Sequence, residues 1–146
     1  MPFAPIILEE EAPKYFKNFS KNAYPAQFMT LCFDCTEEAK EKAPGIVHKD
    51  GTARPQTVSR TAQPLIHRAL TKYQELTGLP LAINTSFNKH EEPIVCTPED
   101  AVKEFVRGGV DELVMGDFRV RGIREASEQP AARAREARLH SAIHRP

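Results

Sequence analysis

The chain has no excess charge of either sign: 20 Lys and Arg residues balance 20 Asp and Glu residues over 146 positions. Without a net field, wholesale binding to nucleic acid or to an anionic membrane is not expected, and any anion site must be local. No apolar run approaches the roughly 20 residues needed to cross a bilayer. The opening, Met1-Pro2-Phe3-Ala4-Pro5-Ile6-Ile7-Leu8, has no basic stretch and runs into Glu9-Glu10-Glu11. It does not read as a secretory signal. Cysteines number three, an odd count that builds no disulfide framework and suits a reducing compartment. The expected location is the cytoplasm. A Walker loop, a GxGxxG turn, a nucleophile elbow and internal repeats are all missing.

Hydrophobic residues make up 40% of the chain and charged residues 27%, the balance of a globular domain with a real core. The apolar start, Met-Pro-Phe-Ala-Pro, already looks like the inside of a fold, and one reading is the later part of a longer ancestral polypeptide. Helix formers with apolar residues at Ala12, Tyr15, Phe16 and Phe19 predict a helix over Glu9 to Phe19. Gln27 to Phe33 reads as a strand, Thr36 to Lys42 as a helical turn, and Gly45 to His48 and Gln56 to Val58 as short strands. The apolar stripe Leu65, Ile66, Ala69, Leu70, Tyr73 and Leu76 predicts a helix from about Thr61 to Thr77. Pro64 falls in its first turn and Gly78 at its stop. A strand over Leu79 to Ile83 follows. Thr97, Pro98 and Asp100 mark a capped helix start, with Gly108 at its end. Leu113 to Met115 is a last strand, continuing through Phe118 and Val120 after the Gly116-Asp117 turn. Strands alternating with helices give an α/β class in a single domain. From residue 122 to 146 the pattern dissolves into an Arg/Ala-rich tail, either a loosely attached helix or disordered.

Two polar segments carry candidate chemistry. Asn84-Thr85-Ser86-Phe87-Asn88 directly follows an apolar strand, so its amides and hydroxyls are delivered to a sheet edge, where open α/β proteins bind ligands. In an extended stretch Ser86 and Asn88 share one side, and Phe87 anchors the loop. The alternative is an ordinary polar loop that caps the next element. The second segment runs from His48 through Asp50-Gly51, Thr52 and Arg54 to Gln56. A guanidinium grips phosphate or carboxylate through two parallel hydrogen bonds. Thr52 and Gln56 alternate with Arg54, and His48 binds phosphate or shuttles a proton. The alternative is a surface hairpin with a solvated arginine. Cys32-Phe33-Asp34-Cys35 has the spacing of half a zinc site, but no compact second pair follows, and the thiols read better as buried or incidental. No metal ligand set is assigned.

In their order, Pro2 to Pro5, His48 to Val58, Asn84 to Asn88, Glu92 to Ala101 and Gly116 to Phe118 resemble the C-terminal domain of the NodU/CmcH-type O-carbamoyltransferases. The resemblance covers residues 1–121. It implies a YrdC-like open twisted sheet with flanking helices. It also implies activation of carbamoyl phosphate with ATP, with magnesium, to a carbamoyl-adenylate. The carbamoyl group then passes to a hydroxyl acceptor on a Kae1-like, iron-holding domain or separate polypeptide. By motif, Arg54 and Ser86 would be catalytic, and His48, Thr52, Gln56, Asn84, Thr85 and Asn88 would bind the nucleotide and carbamoyl groups. Glu91 stands where many relatives carry glycine. RNA recognition by a YrdC-like surface, and a pure interaction module docking on a Kae1-like partner, are the alternatives.

Overall fold

A computed structural model describes residues 3–107 and 110–122. The chain divides into two compact units, Met1–Thr85 and Ser86–Pro146. The first holds strand β1 (Ala4–Leu8), helix α1 (Ala12–Tyr15), a 3-10 turn (Phe19–Asn22), helix α2 (Ala23–Ala26), strand β2 (Phe33–Asp34) and helix α3 (Glu37–Lys42). A second 3-10 turn (Pro44–Ile46), strands β3 (Thr52–Ala53) and β4 (Gln56–Val58), helix α4 (Pro64–Thr77) and strand β5 (Leu81–Asn84) complete it.

Strand β1 is the centre of a three-stranded sheet. It pairs in parallel with β4, Ile6 opposite Gln56 and Leu8 opposite Val58. It pairs antiparallel with β5, Ala4 opposite Asn84 and Ile7 opposite Leu81. Side chains alternate across a sheet, so this register sorts residues onto two faces. On one face Leu8 and Val58 pack with Leu70 of α4, flanked by Ile6 and Ala82. On the other, Ile7 and Leu81 join a larger core of Tyr15, Phe16, Phe19, Phe33, Ile46 and Ala53. Burying one such side chain contributes about 1.5–3 kcal/mol, so this apolar cluster, more than local propensity, holds the short elements in place.

Helix α4 stops as expected, with Gly78 left-handed at φ 77°. It is secured by buried His67, whose Nε2 lies 2.8 Å from Glu10 Oε1. Its start is Pro64 and not Thr61, because Ser59 draws residues 59–62 into a turn through its Oγ.

Three expectations fail in this unit. The helix over Glu9 to Phe19 shrinks to Ala12–Tyr15, because Phe16 turns extended at φ −128°, ψ 128° and bridges Cys35. The strand over Gln27 to Phe33 is absent up to Phe33. Residues 23–29 are helix and turn, with Met29 left-handed at φ 55°. Over Gly45 to His48 no strand forms: Gly45 and Ile46 end a 3-10 turn, and Val47 is extended without pairing in a named strand. In place of a single open sheet, the described strands of this unit form two small sheets, orders β4-β1-β5 and β2-β3. Strand β1, the middle of the largest sheet, is built from a segment that the sequence marks only as apolar. Pro5 sits within it but precedes the stretch paired with β4, where one edge is open.

The second unit holds helix α5 (Pro98–Val106) and the hairpin of β6 (Glu112–Met115) and β7 (Phe118–Arg121). Thr97 and Asp100 form the expected capping box. Gly116, at φ 58°, makes the expected turn. Gly108 and the tail beyond residue 122 lie outside the described residues. No helix among the described residues is long and apolar enough to cross a membrane.

Candidate functional site

Candidate residues His48, Thr52, Arg54, Gln56, Asn84 and Thr85 belong to the first unit, and Ser86 and Asn88 to the second. In the first, the β3–β4 segment alternates strictly. Ala53, Pro55 and Thr57 are buried, while Thr52 and Gln56 are half-buried and Arg54 is exposed. Arg54 thus shares a side with Thr52 and Gln56, as alternation requires. It makes no ion pair among the described residues.

The turn before β3 is closed by its own side chains. Gly51, left-handed at φ 82°, lets its N–H reach His48 O at 2.9 Å, and His48 N–H donates to Thr52 O at 2.7 Å. Asp50 Oδ1 accepts from Thr52 N at 3.0 Å and from Thr52 Oγ1 at 2.8 Å. These two bonds, led by the hydroxyl, hold the Asp50 carboxyl below its ordinary range. Thr52 Oγ1 also lies 3.2 Å from His48 Nδ1. His48 Nε2 is buried without a partner among the described residues.

Gln56 and Asn84 come together on one face. Asn84 Nδ2 donates to Gln56 Oε1 at 2.6 Å, with Met29 Sδ 4.0 Å from the same nitrogen. Asn84 ends β5, so the polar edge is the carboxyl end of that strand. Because β5 is antiparallel to β1, the same edge is the amino end of β1 and β4. The expectation of a carboxyl edge common to parallel strands therefore holds for β5 alone.

In the second unit Ser86 is exposed and Asn88 half-buried. Asn88 Nδ2 donates to Lys89 O and Glu92 O, each at 2.9 Å, which closes the loop. Its Oδ1 is buried and unpaired among the described residues, leaving Asn88 an acceptor. Glu91, in that loop, is left-handed at φ 67°, a conformation natural to glycine. Arg107 Nη1 closes the next turn onto Glu92 at 2.9 Å.

Cys32 and Cys96 are exposed and Cys35 is buried; all three are free thiols. Burial pushes the Cys35 thiol up. No group of three His, Cys, Asp or Glu residues among the described ones is placed to hold a metal. Sequence reading missed the pairing partners: the Asp50–Thr52–His48 chain was signalled only by the Asp-Gly turn, and the Asn84–Gln56 bond had no local signal.

The described residues form a small mixed α/β chain with a polar edge on the sheet of its first unit. Comparison with known proteins narrows this. The family described as the carbamoyltransferase C-terminus matches residues 1–122, and the chain belongs to that family. It is 39% identical over 120 residues to an uncharacterized protein of Methanocaldococcus jannaschii, covering 82% of this chain and 19% of that one. It is 35% identical over 144 residues to nodulation protein NolO of Bradyrhizobium diazoefficiens, covering 99% and 26%. Nodulation protein U of Rhizobium tropici is 42% identical over 89 residues, covering 61% and 15%. The chain spans about a quarter or less of the length of these curated relatives.

Proposed function

We propose that this chain is the carbamoyl-phosphate- and ATP-binding domain of an O-carbamoyltransferase, with a YrdC-like role. It would form a carbamoyl-adenylate for transfer to a hydroxyl acceptor by a Kae1-like domain or polypeptide. Family membership supports the class. The observation that carries the site is Arg54: an exposed guanidinium with no ion-pair partner among the described residues, on the same side as Thr52 and Gln56. Phosphoryl and carbamoyl oxygens call for positioned cations and donors more than for covalent help from the protein. In this reading Arg54 holds the phosphate or carbamoyl oxygen, and Asn84 and Thr85 of the same unit supply amide and hydroxyl contacts. Magnesium would arrive with the nucleotide.

Isothermal titration of the wild type and Arg54→Ala with carbamoyl phosphate and with ATP tests the reading. A charge-assisted contact is worth about 1.5–3 kcal/mol, so Arg54→Ala should weaken carbamoyl phosphate binding about 10- to 100-fold. Equal heats for the two proteins remove Arg54 from the site.

A second reading draws on exposed apolar side chains: Phe3 is 62% exposed, Leu65 72% and Leu76 70%. Such residues suit docking on a separately encoded Kae1-like polypeptide. Co-purification from the native cell distinguishes the two.

A further inference from the structure

Helix α4 carries a separate group of cations. Arg60, Arg68, Lys72 and Glu75 line one open cavity of about 720 Å3, together with apolar Leu65 and Ala69. That is the size of a small-molecule site. Three cations against one carboxylate leave two positive charges there, in a chain of zero net charge. Arg54 is not among the lining residues. Two elements build the cavity. Ser59 Oγ accepts from Ala62 N, and Ser59 O from Gln63 N, each at 3.1 Å, and this turn holds Arg60 beside α4. Leu65, Arg68, Ala69 and Lys72 are three or four residues apart and share one face of the helix.

Most polar groups at the cavity are already engaged. Thr71 Oγ1 donates to His67 O at 2.8 Å, and His67 Nε2 lies 2.8 Å from Glu10 Oε1. Lys72 Nζ donates to Glu75 Oε2 at 2.6 Å. The exceptions are Arg60 and Arg68, whose guanidiniums have no carboxylate partner among the described residues. In the second unit, by contrast, Arg107 is taken by Glu92 and Glu104, and Arg119 and Arg121 by Glu112. Two unpaired guanidiniums on one cavity repel each other, and an anion between them removes that cost.

We propose that this cavity binds a phosphate monoester, its dianionic phosphate held by Arg60 and Arg68 and its organic body laid against Leu65 and Ala69. The guanidinium fork matches phosphate oxygens, and the dianion balances the two positive charges. Both free side chains only donate, and a phosphate dianion only accepts. Leu65 is 72% exposed, so an apolar body gains by covering it. A monocarboxylate would leave one charge unmet. The inference does not depend on the carbamoyl phosphate reading.

Phenyl phosphate is the probe, titrated into the 15N-labelled 146-residue chain at physiological ionic strength and followed by amide shifts. The signals of residues 60, 65, 68, 69 and 72 should move on one binding curve. Arg60→Ala and Arg68→Ala should each weaken binding about tenfold or more, since each removes charge-assisted contacts. Arg68→Lys should recover part of that loss. Benzoate, with a single charge, should bind about tenfold more weakly than phenyl phosphate. Inorganic phosphate should move the same amides at higher concentration. Arg60 and Arg68 are exposed, so these variants should fold as the wild type does. Amides of α4 that stay still overturn the proposal. So do alanine variants that bind like the wild type, or benzoate that matches phenyl phosphate. Shifts confined to residues 52–56 also overturn it, and favour an anion site at Arg54 instead. A failed carbamoyl phosphate titration leaves this result standing, because the amides beside Arg60 and Arg68 report it separately.

Discussion

Asn84 and Gln56 share a hydrogen bond of 2.6 Å across the strand that separates theirs. Strand β1 lies between β5 and β4, with Ala4 opposite Asn84 and Ile6 opposite Gln56. Ala4 is on the same face and presents one methyl group, which leaves room for two amides to meet over it. The bond ties the first residue of one candidate segment, Asn84, to the last residue of the other, Gln56.

That bond should be measurable as coupling. Asn84→Leu and Gln56→Leu should each destabilise the protein by about 1 kcal/mol, since each strands a half-buried partner. The double variant should lose less than the sum, with a coupling of about 0.5–1.5 kcal/mol by denaturant unfolding. Strict additivity would show that the bond contributes nothing.

Glu91 should gain from becoming glycine. Its φ of 67° costs an L-residue about 1–2 kcal/mol. Glycine loses about 0.4–1 kcal/mol of that gain to unfolded-chain entropy. Glu91→Gly should therefore raise the melting temperature by about 2–4 °C per kcal/mol gained, read by calorimetry. A fall would mean that the loop does not hold this conformation.

Acid should loosen the β6–β7 hairpin at Glu112. Arg119, then Arg121, donate to its carboxylate at 2.7–2.9 Å and push its pKa down to about 2. A depressed carboxylate contributes stability that is full above its unfolded value of 4.5 and is lost as pH falls toward 2. Carboxyl 13C shifts of Glu112 should stay those of a carboxylate at pH 4. Protonation near pH 4.5 would show that the arginines are not engaged.

Helix α5 depends on its first turn. Thr97 Oγ1 accepts from Asp100 N, and Asp100 Oδ2 accepts from Thr97 N, each at 3.2 Å. Thr97→Ala should cost about 1 kcal/mol, while Thr97→Ser should be near neutral. Equal losses for both would point to the missing methyl group and not to the cap.

Arg54→Lys separates charge from geometry. A point charge should restore only part of the affinity that Arg54→Ala loses, because the two-pronged contact is gone. Full restoration in a carbamoyl phosphate titration would mean that a cation of any form suffices.

Legibility in the sequence followed range. The α4 stop at Gly78, the Thr97–Asp100 box, the Gly116 turn and the Thr52–Arg54–Gln56 alternation were all readable, because each depends on residues a few positions apart. The stretch before Phe33 was not: its apolar composition suits a strand, yet Met29 turns left-handed and residues 23–26 coil into helix. Composition could not tell core-facing chain from strand, since packing against Phe16 and Phe19 decides which residues pair.

The sequence by itself determined the family, the helix ends, the turn chemistry and the polar residue types of the candidate site, because motif order, capping side chains and backbone preference are local. Only the tertiary structure decided that β1 lies between β4 and β5 and that Asn84 meets Gln56. Those depend on strand register and side-chain distance, which arise from burial shared among residues far apart along the chain and are encoded at no single position.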